Sequence, residues 1–261
     1  MSFRDLVKRP LYRTPRLLAA LLRLKPGWNR NAYAFLQLIQ RGDSVLDIGA
    51  NVGIYSELFA RVVGPTGRVV AFEPVPTTYR QLQNRVGRLP QITIHQLAVS
   101  DQNGDVVLSL PGQDSGQASL KPHHQASWSD GSNIHEHRAR AITLDSWAAE
   151  SGWPKVDFMK LDVEGAELLA LRGASQLVRR QQPILFLEVC LNWLTDFGFQ
   201  PKDLADWLYA HNYDYFAVVK DKTTRLDNLE ADWIPHLDSG SHNLLAARRD
   251  RHAARLQHYG I

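Results

Sequence analysis

A short apolar run that ends in an acid and a glycine constrains this 261-residue chain most. Val45-Leu46-Asp47-Ile48-Gly49-Ala50-Asn51-Val52-Gly53 reads as a buried strand entering a tight turn, and Ile54 to Val63 follows with helical spacing of its apolar residues. A second apolar run, Val69-Val70-Ala71-Phe72, closes on Glu73 and Pro74. Strand, glycine turn, helix and second strand in this order predict a parallel α/β unit that holds a ligand outside the carboxyl ends of its strands. Pro74 biases Glu73 toward extended backbone, and Pro76 suits the first turn of a helix. Neither proline explains why the run ends in an acid.

The glycine spacing separates two kinds of nucleotide. A dinucleotide fingerprint, G-x-G-x-x-G, uses its middle glycine to bring backbone up to a pyrophosphate. Ala50, Asn51 and Val52 stand between Gly49 and Gly53, so that glycine is missing and a nicotinamide oxidoreductase is disfavoured. S-adenosylmethionine has no pyrophosphate. Its ammonium suits an acid such as Asp47, its carboxylate suits the turn amides, and its ribose suits Glu73, whose carboxylate can accept from both hydroxyls. A purely structural reading gives Gly49 a positive φ, makes Asn51 a helix cap and sets Asp47 against the helix dipole.

Strand and helix alternate onward from there. Ser44 to Ile48, Arg68 to Phe72 and Ile92 to Ala98 read as strands, separated by helices over Ile54 to Val63 and Thr77 to Val86. Farther on, Val156 to Leu161 and Ile184 to Val189 read as strands around helical Ala166 to Leu171 and Gln176 to Arg180. Lys202 to Ala210 then reads as a helix, with Tyr213 to Val219 and His242 to Ala246 as strands. Such alternation predicts right-handed crossovers and a mostly parallel sheet.

The pattern breaks between Gln102 and Ile142. Asn103-Gly104 is a hairpin signal, and Val106 to Leu110 can pair with Arg138 to Ile142. The stretch 111–137, rich in Gly, Ser, Gln and His, is expected to be a lid or acceptor-binding insert. The expected organisation is a helical segment over 1–43, one α/β domain over 44–247 and a basic C-terminal tail over 248–261.

Charge is concentrated at the ends. Arg4, Lys8, Arg9, Arg13, Arg16, Arg23 and Lys25 face the single acid Asp5, and Arg248, Arg249, Arg251 and Arg255 crowd the far end. These termini offer leucine and arginine rather than basic residues interleaved with aromatics, so no nucleic-acid partner is expected. A solvated amphipathic helix is the plainer reading, beside contact with an acidic partner, a membrane surface or a second copy in a homodimer. Leu17 to Leu24 is too short to span a bilayer. The lone Cys190 cannot form an intrachain disulfide and reads as a buried structural thiol in a reducing, cytoplasmic setting.

Five motifs in order then resemble the FkbM family of methyltransferases. They are Asp47-Ile-Gly-Ala-Asn-Val-Gly53, Phe72-Glu-Pro74, Ala98-Val-Ser-Asp101, Thr143-Leu-Asp-Ser146 and Lys160-Leu-Asp-Val-Glu-Gly-Ala-Glu167. The resemblance covers Val45 to Val189 and extends toward Ala247. It implies a class I methyltransferase (Rossmann-like) α/β fold, with a seven-stranded, mostly parallel sheet, its last strand antiparallel, and helices on both faces. It also implies S-adenosylmethionine as cofactor and a hydroxyl of a sugar, glycan or other natural product as acceptor. Carried over, Asp47, Gly49, Ala50, Asn51 and Gly53 would frame the methionine part, Glu73 with Pro74 the ribose, and Ser100 with Asp101 the adenine. A plain hairpin turn accounts equally for Asp101 to Gly104.

A methyl donor that brings its own leaving group leaves the protein to align an acceptor oxygen and remove its proton. Asp162 ends its strand on the edge shared with Asp47 and Glu73, and Glu164 follows before Gly165, so these acids are candidates for base or acceptor-orienting group. Glu188 ends the neighbouring strand and can bind an acceptor hydroxyl. A catechol-type alternative would place Mg²⁺ between Asp162, Glu188 and Asn192, although carboxylates alone do not specify a metal. A scaffold that binds the cofactor without catalysis is the remaining alternative. His123, His124, His135, His137 and Trp128 are the insert's further candidates for a base, a metal or ring stacking.

Overall fold

The apolar run through Ile48 forms the middle of a sheet, β1 (Ser44–Ile48), parallel to β2 (Arg68–Phe72) on one side and β7 (Phe158–Leu161) on the other. These elements belong to a computed structural model described over residues 12, 14–24, 29–111, 118–121, 134–219, 222–233 and 241–261. The sheet continues through β3 (Ile92–His95) beyond β2, and through β8 (Ile184–Cys190), β11 (Ser241–Ala247), β9 (Asp214–Val219) and β10 (Lys222–Leu226) beyond β7. β11 lies antiparallel between β8 and β9, as the resemblance implies for a last strand. β10 adds an eighth, edge strand, antiparallel to β9. Its sequence, Lys-Thr-Thr-Arg-Leu, carries no apolar alternation, which is why periodicity does not reveal it.

The stretch Ile92 to Ala98 is not one strand. It leaves the main sheet after His95, and β4 (Ala98–Val99) joins a second sheet, parallel to β6 (Ile134–Ile142), which is antiparallel to β5 (Gly104–Pro111). This departure carries Leu97, Ala98 and Val99 over the carboxyl end of β2.

Alternation of side chains sends successive residues of the parallel strands to opposite faces. Val45, Phe158, Ile184 and Phe186 meet α2 (Arg30–Leu38) and α3 (Ile54–Val63). There Phe35 lies edge-on to Phe59, Phe158 and Phe186, with centroids at 5.0, 5.8 and 4.8 Å. Leu46, Ile48, Met159, Leu161, Leu185 and Leu187 meet the other layer, which includes α5 (Leu144–Glu150), α6 (Glu167–Arg172), α7 (Ser175–Gln181) and α9 (Pro201–Ala210). α4 (Pro76–Val86) starts on Pro76 at its first turn and packs Leu82 and Val86 on Ala50 and Ala71.

Two further helices lie against α2. α1 (Pro15–Arg23) precedes it, and α11 (Arg249–Tyr259), which comes after the one-turn α10 (Leu229–Asp232) in the chain, lies near the end of the described chain. The basic stretch after Ala247 is therefore no loose tail: Leu256 is buried, and the Arg255 guanidinium donates to both oxygens of Asp43 at 2.6 and 2.8 Å, clamping α11 beside the start of β1.

Candidate active site

The turn after β1 has backbone that few side chains tolerate. Gly49 adopts φ +75°, and a Cβ there would sit 1.8 Å from the carbonyl oxygen of Asp162, so the ends of β1 and β7 touch. Asn51 takes φ +50° without being glycine. The N–H groups of Gly49 and Ala50 both donate to the Phe72 carbonyl, at 3.1 and 2.9 Å, which folds the turn onto the end of β2.

Glu73 completes that turn. The Asn51 N–H donates to its Oε2 at 3.0 Å and the Val75 N–H to its Oε1 at 2.9 Å. Each oxygen keeps a second lone pair for a ligand. Burial outweighs these bonds and pushes the carboxyl up to about 7. Glu73 lines a cavity of about 780 Å³, its open mouth included, together with Gly49, Asn51 and Pro74.

Asp162, Glu164 and Glu188 line the same cavity. Burial alone would raise Asp162, but the Lys160 ammonium 3.0 Å away and a hydrogen bond from Glu188 hold it below the usual carboxylate range. That hydrogen bond needs a proton between the two carboxyls. Glu164 stands opposite in character, pushed up to about 9 by burial and by the charges of Asp162, Glu188 and Glu167. Its Oε2 is buried with no hydrogen-bond partner among the described residues, and its backbone is left-handed at φ +54°. Glu167, at the start of α6, accepts from the N–H groups of Val163 and Gly165 at 3.0 and 3.3 Å and fixes this loop.

Among the described lining residues, every ionisable side chain is an acid. The remaining wall is apolar, formed by Ile48, Phe72, Leu97, Ala98, Val99 and Leu108, with Ala118 and Leu120 from the insert. Ser119 anchors that piece of the insert. It exchanges two backbone hydrogen bonds with Ser109, at 2.7 and 3.0 Å, and its Oγ donates to the Glu164 carbonyl at 2.8 Å. No periodicity in the sequence marks Ser119, because its partners are distant in the chain.

Several sequence candidates lie elsewhere. Asp47 does not reach the cavity: it is 0% exposed, receives a hydrogen bond from Ser56 Oγ at 2.5 Å and pairs with Lys160. Position 47 faces α3 because β1 alternates its faces, and Lys160 is its direct partner on β7. Lys160 is therefore a buried counter-ion, shared between Asp47 and Asp162. Ala50 and Gly53 support the turn from behind, with Ala50 packed on α4. Ser100 is buried against Gly173, where a Cβ would meet its carbonyl oxygen at 2.1 Å, and Asp101 begins the turn into β5. Asn103 pins that turn to α5 by accepting from Thr143 N–H at 2.7 Å and donating to Ser146 at 2.8 Å.

His123, His124 and Trp128 fall outside the described residues, while His135 and His137 belong to β6. Among the described residues no group of three His, Cys, Asp or Glu side chains is gathered for a metal ion, so Mg²⁺ finds no support. Cys190 is buried. No helix among the described residues is long and apolar enough to cross a membrane.

Strand order β3-β2-β1-β7-β8-β11-β9, a glycine turn after β1 and an acid after β2 define a class I methyltransferase fold. Residues 47–215 match the model of the methyltransferase FkbM domain, and the chain belongs to that family. It is similar to 2-O-methyltransferase NoeI of Sinorhizobium fredii, 27% identical over 56% of this chain and 63% of that one. It is also similar to the hexuronic acid methyltransferase AglP of Haloferax volcanii, 26% identical over 66% of this chain and 64% of that one. A crystal structure of methyltransferase FkbM from Methylobacillus flagellatus KT is 16% identical, covering 92% of this chain and 58% of that one at a TM-score of 0.49. The chain matches less than two thirds of the length of its curated relatives.

Proposed function

We propose that this protein transfers a methyl group from S-adenosylmethionine to a hydroxyl of a sugar, glycan or other natural product. The observation that carries this reading is that one cavity joins the doubly held Glu73 to the acids Asp162, Glu164 and Glu188. A wall whose described ionisable groups are all acidic suits a ligand with a sulfonium charge.

The cofactor fits the residues present. Glu73 keeps one lone pair on each oxygen for a ribose diol, and the open turn at Gly49, Ala50, Asn51 and Gly53 suits the methionine end. Pro74 and the apolar side chains of Leu97, Ala98 and Val99 suit the adenine, and Ser100 and Asp101 follow Val99 directly in the chain. Asp47 acts from beneath the turn, through Ser56 and Lys160.

When bound, the cofactor supplies an electrophilic methyl and its own leaving group. The protein's part is alignment and proton removal. Burial and the neighbouring acids keep Glu164 protonated near pH 7, and positive charge placed beside it would favour its ionised form. Its unpartnered Oε2 then takes the hydroxyl proton, while Asp162 and Glu188 orient the acceptor. Most of the insert expected as a lid or acceptor-binding segment lies outside the described residues, and its described Ala118 and Leu120 line the cavity as part of the acceptor wall. The name of the relative NoeI, a 2-O-methyltransferase, favours transfer to oxygen, and that of AglP, a hexuronic acid methyltransferase, favours a carbohydrate acceptor.

Isothermal titration with S-adenosylmethionine and S-adenosylhomocysteine, followed by turnover with a panel of hydroxylated glycosides, tests the proposal. Binding of both and formation of S-adenosylhomocysteine with an O-methylated product are expected. Failure to bind either cofactor form would overturn it.

A further inference from the structure

We propose that α1 docks the protein on an anionic lipid surface. The helix buries one side against the body of the protein, where Ala19 is fully covered and Leu18 packs on the layer around Phe35. The opposite side is left open. Leu17 and Leu21 are 52% and 41% exposed, and Leu24, just past the helix end, is 79% exposed. Positions 17, 21 and 24 follow the spacing of a single helical stripe. Of the six large apolar side chains exposed among the described residues, three lie on this stripe, so the exposure is a patch rather than scatter.

Charge complementarity selects the occupant. Arg16 is exposed beside the stripe, and the sequence around α1 carries seven basic residues, Arg4, Lys8, Arg9, Arg13, Arg16, Arg23 and Lys25, against the one acid Asp5. The remainder of the chain has more acidic than basic residues. A second copy meeting the same face would bring together two segments of like net charge in sequence. An anionic bilayer offers both halves of the match, an acyl boundary for the leucines and phosphates for the cations. An amphipathic segment of this kind lies in the interface and does not span it, in keeping with the length of α1.

Co-sedimentation of the full chain with vesicles of phosphatidylcholine, with and without phosphatidylglycerol, tests this. Binding to the phosphatidylglycerol vesicles is expected, weakening in high salt and at least tenfold weaker for Leu17→Ser/Leu21→Ser. Leu24→Asp, outside the helix, should weaken binding in the same direction without touching the fold, and thermal melts confirm that both variants remain folded. Three results would overturn the proposal. They are no binding to either vesicle, equal binding by folded variants, or a wild-type dimer in light scattering that the variants turn into a monomer, which would assign the face to a second copy.

Discussion

The Lys160 ammonium lies 3.5 Å from Asp47 Oδ1, and the two residues are direct partners on adjacent central strands. The same ammonium is 3.0 Å from Asp162, so one buried cation joins the underside of the glycine turn to an acid on the cavity wall. Burial opposes its charge, yet Asp162 and Asp47 together hold the lysine above its ordinary range.

Lys160→Met should therefore be strongly destabilising. It leaves Asp47 buried without its counter-ion, and breaking a buried pair in this way costs about 3–5 kcal/mol. The double variant Lys160→Met/Asp47→Asn should recover part of that loss, because the fully buried Asp47 charge leaves with the lysine while Asp162, on the cavity wall, still loses its partner. Urea denaturation of the two variants beside wild type is the measurement, and a single variant as stable as wild type would refute the account.

Glu73→Gln should weaken cofactor binding. An amide has one accepting oxygen, so it cannot receive both the Asn51 and Val75 N–H groups while serving a ribose diol. Loss of a charge-assisted bond of about 1.5–3 kcal/mol corresponds to roughly tenfold to a hundredfold in Kd for S-adenosylhomocysteine. In wild type the affinity should also fall as pH drops through about 7, where Glu73 takes up its proton and donates instead of accepting. Titration calorimetry across pH reads both effects, and a flat profile would count against the assignment.

Gly49→Ala should lose both stability and binding. The added methyl would meet the Asp162 carbonyl carbon at 2.8 Å and its oxygen closer still, in backbone with φ +75°. Forcing β1 and β7 apart is expected to cost at least about 3 kcal/mol. A melting temperature within a degree or so of wild type would show that the two strand ends can separate at little cost.

Glu164 should make the ligand-free protein less stable as pH rises. Its carboxyl, ordinarily near 4.5, is raised to about 9 in the fold, so between these values the folded state holds a proton that the unfolded state has released. Stability from this group is thus full below about 4.5 and declines as pH climbs toward 9. Glu164→Gln has no proton to lose, and its advantage over wild type should grow across that window. Thermal melts of the pair at several pH values check this, with a constant difference as the contrary result.

The elements legible in the sequence were those with strong periodicity or punctuation. α4 begins at Pro76 and α3 directly after Gly53, where the proline and the glycine mark them. α5, β10 and α8 (Leu191–Asp196) escaped because they are short or polar, and their stability comes from packing rather than pattern. Most of the candidate site could be read the same way. Glu73, Asp162 and Glu188 each fall at or just beyond the carboxyl end of a parallel strand, and in a parallel sheet those ends share one edge.

Local period and turn chemistry are written in consecutive residues, so the strand, turn and helix at Ser44 to Val63, the parallel order around them and the acids that edge the cavity are legible from residue order alone. Three features come from the folded arrangement instead: Asp47 turns inward to Lys160 and Ser56, Ser119 reaches back to the Glu164 loop, and Arg255 clamps α11 to Asp43. Each of those outcomes depends on which face a residue presents and on which distant side chain comes to meet it, and strand register and packing, set by long-range contacts, fix both.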